Sequence, residues 1–158
     1  MRRWTVRAFL ISLAACGSGQ TAPDAPIDCS AVQAMGGADT FTVGLEKKGA
    51  GGGLDFKLMS VNPAPPARGD NSWVLQINAM AGGTVGNPVT GASMMVTPFM
   101  PAHQHGTPVQ VMITQMPTAG QYTLDPINMW MPGVWDVTIV ASQGSTTDEA
   151  KYSFCIPN

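Results

Sequence analysis

The chain has 158 residues, of which 44% are hydrophobic and only 11% charged, with 18 glycines, 13 prolines and a formal net charge of −2. That length suits one domain, and low charge with abundant apolar and turn-forming residues excludes a disordered chain and points to a β-rich one. No basic run is present that would hold a nucleic acid backbone.

The first segment reads as an export leader. MRRWTVR is a basic stretch and AFLISLAA a short apolar one, too short to span a bilayer. The run ends in Leu13-Ala14-Ala15-Cys16, which resembles the lipobox of bacterial lipoproteins. The resemblance implies cleavage before Cys16, a diacylglyceryl group on its sulfur, and a protein held in the cell envelope by that lipid. Gly17 follows Cys16 where an inner-membrane retention signal has Asp, so the expected address is the outer membrane, facing the periplasm or the surface. The expected organisation is a signal peptide over 1–15, a flexible tether over 16–28 and one folded domain over 29–158. Losing Arg2, Arg3 and Arg7 leaves five of the eight basic groups against ten acidic ones, a formal charge of −5 for the mature chain.

Two cysteines remain, Cys29 and Cys155, near the two ends of the folded region. In an oxidising envelope the expectation is a disulfide between them. Neither has a neighbouring Cys or His to form a metal cluster. Ala31–Gly37 reads as a turn or a single helical turn. From there on the hydrophobic period is two. Phe41, Val43 and Leu45 alternate with polar residues; GAGGG makes a turn; Leu54, Phe56 and Leu58 alternate again. After a Pro-rich loop over 62–71 come Trp73, Leu75 and Ile77. Further strand patterns follow in GASMMVTPF, in VQVMITQM with Val109, Val111 and Ile113, and in QYTLDPINMWM. The last two carry Trp135, Val137 and Ile139, then Tyr152, Phe154 and Ile156. Strict alternation in short segments separated by Gly/Pro turns predicts an all-β fold, an immunoglobulin-like antiparallel β-sandwich of about seven or eight strands. Cys155, out of phase with Tyr152 and Phe154, is expected to sit away from the deep core.

The chemistry-bearing residues are few. The only two histidines, His103 and His105, stand on a Pro-bounded loop just after Met100. A second cluster, Asn128-Met129-Trp130-Met131, places Met129 and Met131 two residues apart, so that an extended strand would turn both to one face. Imidazole with thioether favours copper, and the soft sulfur selects Cu(I). Zinc rarely takes Met, and a blue-copper centre would need a Cys beside two His. Met80 and Met112 lie in strand patterns and read as packing, a common use of Met. No nucleophile elbow and no phosphate-cradling loop before a helix is present. With both histidines on one loop, a catalytic triad has no support, and no enzymatic activity is expected.

From about Ser72 onward the sequence resembles the YtkA-like and FixH-like exported bacterial domains. The likeness rests on Met100-Pro101 with His105-Gly106, then Gly120 and Tyr122, then Met131, Gly133 and Trp135. It implies an immunoglobulin-like sandwich and a role near copper-handling proteins. This chain has Ala-His-Gln-His-Gly where the family often has Met before the His. The expected function is therefore an envelope lipoprotein that binds copper through His103, His105, Met100, Met129 and Met131, for buffering or delivery to a copper-handling partner. The alternative is a metal-free surface sandwich serving as a structural or interaction module.

Overall fold

The computed structural model describes residues 26–158; the leader, Cys16 and most of the tether lie outside the described residues. Among the described residues, one short helix precedes ten strands. The helix α1 (Cys29–Ala34) is capped by Asp28, whose carboxylate accepts from the Ser30 and Ala31 amides. The strands are β1 (Leu45–Lys48), β2 (Leu54–Asn62), β3 (Gly69–Ala81), β4 (Thr84–Pro88), β5 (Ser93–Met100), β6 (His105–Gly106), β7 (Met112–Gln115), β8 (Gln121–Met129), β9 (Gly133–Gln143) and β10 (Thr146–Ile156). They form two antiparallel sheets. One has the order β1-β2-β3-β8-β7, with β4 on the end of β3; the other has the order β10-β9-β5-β6. The fold is a β-sandwich, as the alternation predicts. The strand count exceeds seven or eight because β1, β4, β6 and β7 are short pieces of five residues or fewer.

The core lies between the sheets. Trp73, Leu75 and Ile77 of β3, Leu124 and Ile127 of β8 and Phe56 of β2 are buried against Trp135, Val137 and Ile139 of β9 and Tyr152 of β10. Trp73 meets Phe154 and Tyr152 edge-on at 5.5 and 6.1 Å between ring centroids, an aromatic contact across the sandwich. The Tyr152 hydroxyl donates to the Phe56 carbonyl at 2.8 Å, a second tie between sheets. The crossover from β4 to β5 is pinned by Tyr122, which donates to Val89 O at 2.9 Å and accepts from Ala92 N at 3.0 Å.

Two local expectations need correction. Val43 does not extend the first strand: the chain turns at residues 43 and 44 and Val43 is exposed. Met112 does not pack: it opens the short edge strand β7 and its side chain faces solvent. Cys155 stands outside the main hydrophobic cluster, as its phase implies, although it is buried beside its partner Cys29. The two cysteines form the expected disulfide, with 5.4 Å between their Cα atoms.

The GAGGG stretch is a turn with a second purpose. Its amides at Gly51 and Gly53, with that of Leu54, donate to the carboxylate of Asp148 at 2.6, 2.8 and 3.0 Å. A side chain at residue 49 would overlap that carboxylate, so glycine is required there for the close approach. Burial by itself would raise the Asp148 carboxyl, but its backbone donors outweigh burial and hold it below the usual carboxylate range.

Candidate metal centre

Four of the five candidate residues, Met100, His103, His105 and Met131, gather at one end of the sandwich, where the β5–β6 hairpin lies beside the crossover from β8 to β9. Met100 and His105 are directly opposed Cα partners in the antiparallel pair. Opposed residues point to the same face of a sheet, and Met100 is buried, so His105 also turns inward. The loop between them is tight: His103 N donates to Met100 O at 3.2 Å, and Gln104 adopts φ 55. His103 at the apex is exposed, and its ring lies 5.8 Å from that of His105.

His105 is half-buried between two indoles. Trp130 stacks on it at 5.4 Å and 24°, and Trp135 meets it edge-on at 6.1 Å and 71°. Its Nδ1 lies 3.0 Å from the Gly106 carbonyl. A carbonyl only accepts, so Nδ1 carries the proton of this bond and the nitrogen left for a ligand is Nε2. A ring nitrogen that donates to a backbone carbonyl is the usual way to orient a metal-binding imidazole.

The crossover segment 130–132 is fixed from two sides. Trp135 Nε1 donates to Met131 O at 2.9 Å, and Arg68 Nε donates to Trp130 O at 2.9 Å. The hairpin is held in turn by Thr107, whose hydroxyl donates to Asn128 Oδ1 at 3.2 Å; Asn128 then donates to Asp70 at 2.6 Å. Met100, His103 and Met131 line one cleft of about 400 Å³, together with Gly133, Ile27 and Asn158. Gly133 is at φ +134, and a Cβ there would overlap the Met100 methyl group. Its lack of a side chain is what lets Met100 seat against the end of β9.

Met129 stands apart from this cleft. Strand geometry ends at Met129, so the two-residue spacing that would align Met129 with Met131 does not hold across the turn. Met129 is fully buried on β8 in the core, whereas Met131 is half-buried on the cleft. Three features of the site were not singled out from sequence: the stacked Trp130, and Ile27 and Asn158 as cleft walls. Trp130 had a signal, an aromatic residue between two methionines at a strand end; Ile27 and Asn158 had none. Among the described residues, no three His, Cys, Asp or Glu side chains group as a metal cluster. The donors gathered here are imidazole and thioether, a set that suits a soft monovalent ion better than a hard divalent one.

Comparison with curated proteins finds no match. Among solved structures, FetP of uropathogenic Escherichia coli strain F11 is 12% identical, covering 67% of this chain and 90% of its own, with a TM-score of 0.45. A copper-bound variant of FetP is 12% identical over 72% of this chain and 89% of its own, at 0.46. Copper-reconstituted P19 of Campylobacter jejuni is 11% identical over 72% and 94%, at 0.42. The model of the YtkA-like family matches residues 50–140. That match begins well before Ser72, taking in β2 and β3, and includes the whole β5–β6 hairpin and the crossover to β9. With more than half of its length matched, this chain belongs to the YtkA-like family.

Proposed function

We propose that this protein binds copper, as Cu(I), at the cleft lined by Met100, His103 and Met131, with His105 as the adjoining imidazole. The observation that carries the reading is the shared cleft: two thioethers and an imidazole from three separate positions line one space, and a second imidazole beside it has its Nε2 free. Copper is cargo in this reading. His103, exposed at the hairpin apex, is the group that an arriving or departing ion meets first. Met100 and Met131 supply soft sulfur from the apolar side, which favours Cu(I) over Zn(II). Trp130 and Trp135 hold the His105 ring in place. Met129 is left out of the ligand set and assigned to packing.

The proposal extends to location. Lipid attachment at Cys16, outside the described residues, would hold the domain on an envelope membrane, with the outer membrane as the address. Buffering copper there, or passing it to a copper-handling protein, is the role proposed. Among the described residues no helix is long and apolar enough to cross a membrane. Cys16→Ser tests the anchor: the protein should leave the membrane fraction or remain uncut, and unchanged processing with full membrane retention would remove it. Metal analysis of the purified protein after exposure to Cu(I) and Zn(II) together tests the metal. The expected result is copper near one equivalent without zinc. Failure to retain copper would return the molecule to a metal-free interaction module.

A further inference from the structure

The cleft has a wall made by the two ends of the domain. Ile27 and Asn158 both line it, and the Ile27 amide donates to Asn158 Oδ1 at 2.9 Å. Two residues beyond Ile27, Cys29 is bonded to Cys155, three residues before Asn158. The helix that Cys29 begins buries none of its residues. Its other side-chain tie to the domain among the described residues is Gln33 Nε2 to Asp39 O at 3.3 Å. At Asp39 the chain is firmly held again, by paired bonds with the backbone of Ser153 at 2.6 and 2.8 Å. The stretch from Ile27 to Gly37 is therefore a strap fixed at Asp39 and tied on its N-terminal side, among the described residues, by the disulfide and by one exposed hydrogen bond. The disulfide also opens onto a second cleft, of about 440 Å³, on whose walls stand Cys29, Cys155, Phe41, Phe154 and Pro63. A dithiol thus has an approach to the bond through a cleft other than the metal cleft.

We propose that the Cys29–Cys155 disulfide is a redox-dependent clamp on the metal cleft, closed when oxidised and released by a dithiol reductant. The reaction balances as thiol–disulfide exchange. The dithiol gives two electrons and two protons, the S–S bond breaks to two thiols, and the donor becomes the disulfide. With the bond broken, the bond to Asn158 is the one remaining side-chain tie of this wall among the described residues, and the wall that shares the cleft with Met131 lifts away. The reference to copper rests on the function proposed above; the clamp itself does not.

The test reads Met131 in the metal-free protein, where no copper is involved. Peroxide oxidation of each methionine is followed by mass spectrometry in the disulfide form, after dithiothreitol reduction, and in Ile27→Ala with the disulfide intact. Reduction and Ile27→Ala should each speed Met131 oxidation roughly fivefold or more, while buried Met129 keeps its rate as a marker of the intact core. If Met129 accelerates too on reduction, the disulfide holds the whole fold rather than the cleft, and the clamp is overturned. Met131 rates unchanged in Ile27→Ala, or in a reduced form that keeps its core, overturn the clamp. In a second arm, Cu(I) transfer to a chelator is timed for the parent and for Cys29→Ser/Cys155→Ser. Transfer from the double variant should be roughly tenfold faster; equal rates reject any control over copper. A parent that binds no copper but shows the Met131 difference keeps the clamp and removes only the copper reading.

Discussion

Asp148→Ala should destabilise the domain far more than a single acidic residue near a hairpin would suggest. The Asp148 residue is 5% exposed and its carboxylate accepts four backbone N–H groups: Gly51 at 2.6 Å, Gly53 at 2.8 Å, Glu149 at 2.9 Å and Leu54 at 3.0 Å. Hydrogen bonds to a charged acceptor contribute about 1.5–3 kcal/mol each. Gly51 is exposed and Gly53 half-exposed, so water replaces much of what they lose, whereas the Leu54 amide is buried and stays unpaired. We therefore expect a loss of about 3–4 kcal/mol, a large part of the ~5–15 kcal/mol typical of a domain. Urea unfolding followed by tryptophan fluorescence measures it, with the slope unchanged between parent and variant. The sign with pH follows from the lowered carboxyl. A group whose folded value lies below its unfolded one stabilises above the unfolded value, near 3.8, and loses that contribution as pH falls through the folded value. The gap between parent and variant should be full at pH 6 and shrink below about pH 4. A loss under about 1 kcal/mol, or a gap that stays constant down to pH 3, would refute the account of the Gly-loop as a carboxylate cradle.

Asp55 behaves in the opposite sense. It is buried, one of its oxygens has no partner among the described residues, and burial raises its carboxyl. Its charge therefore costs stability above its raised folded value, and Asp55→Asn should gain about 1 kcal/mol at pH 7, fading as pH falls toward 4 in the same urea titration. Gly133→Ala must hold alanine at φ +134 and displace the Met100 methyl; a loss of about 2 kcal/mol with weakened Cu(I) binding is expected, and a silent substitution would contradict the seating of Met100. Met131→Leu should weaken Cu(I) binding at unchanged stability, while Met129→Leu leaves binding intact; the reverse order in a chelator competition would reassign the ligand set.

The fold was legible where alternation runs unbroken. Trp73, Leu75 and Ile77, or Trp135, Val137 and Ile139, point inward as their period of two requires. It was less legible where the ladder slips. A bulge between Leu58 and Ser60 brings Val61 inward, and in β8 the inward residues shift from Tyr122 and Leu124 to Ile127 and Met129. Periodicity cannot foresee such a shift. Of the candidate site, the residue types and the hairpin were visible, because His103 and His105 are the only histidines and neighbour Met100. The pairing of Met131 rather than Met129 with that hairpin was not visible, since it depends on where β8 stops. The cradle around Asp148 was also hidden, because a glycine turn does not name the acceptor that its amides face nearly a hundred residues away.

His103, His105, Met100 and Met131 are proposed to bind Cu(I). The most direct test is a Cu(I) titration of the parent and of His103→Ala/His105→Ala against a colorimetric chelator of known affinity, with unfolding curves confirming that both are folded. One tight equivalent is expected in the parent and a loss of at least about 100-fold in the double variant. Equal Cu(I) affinity in the two proteins would contradict it.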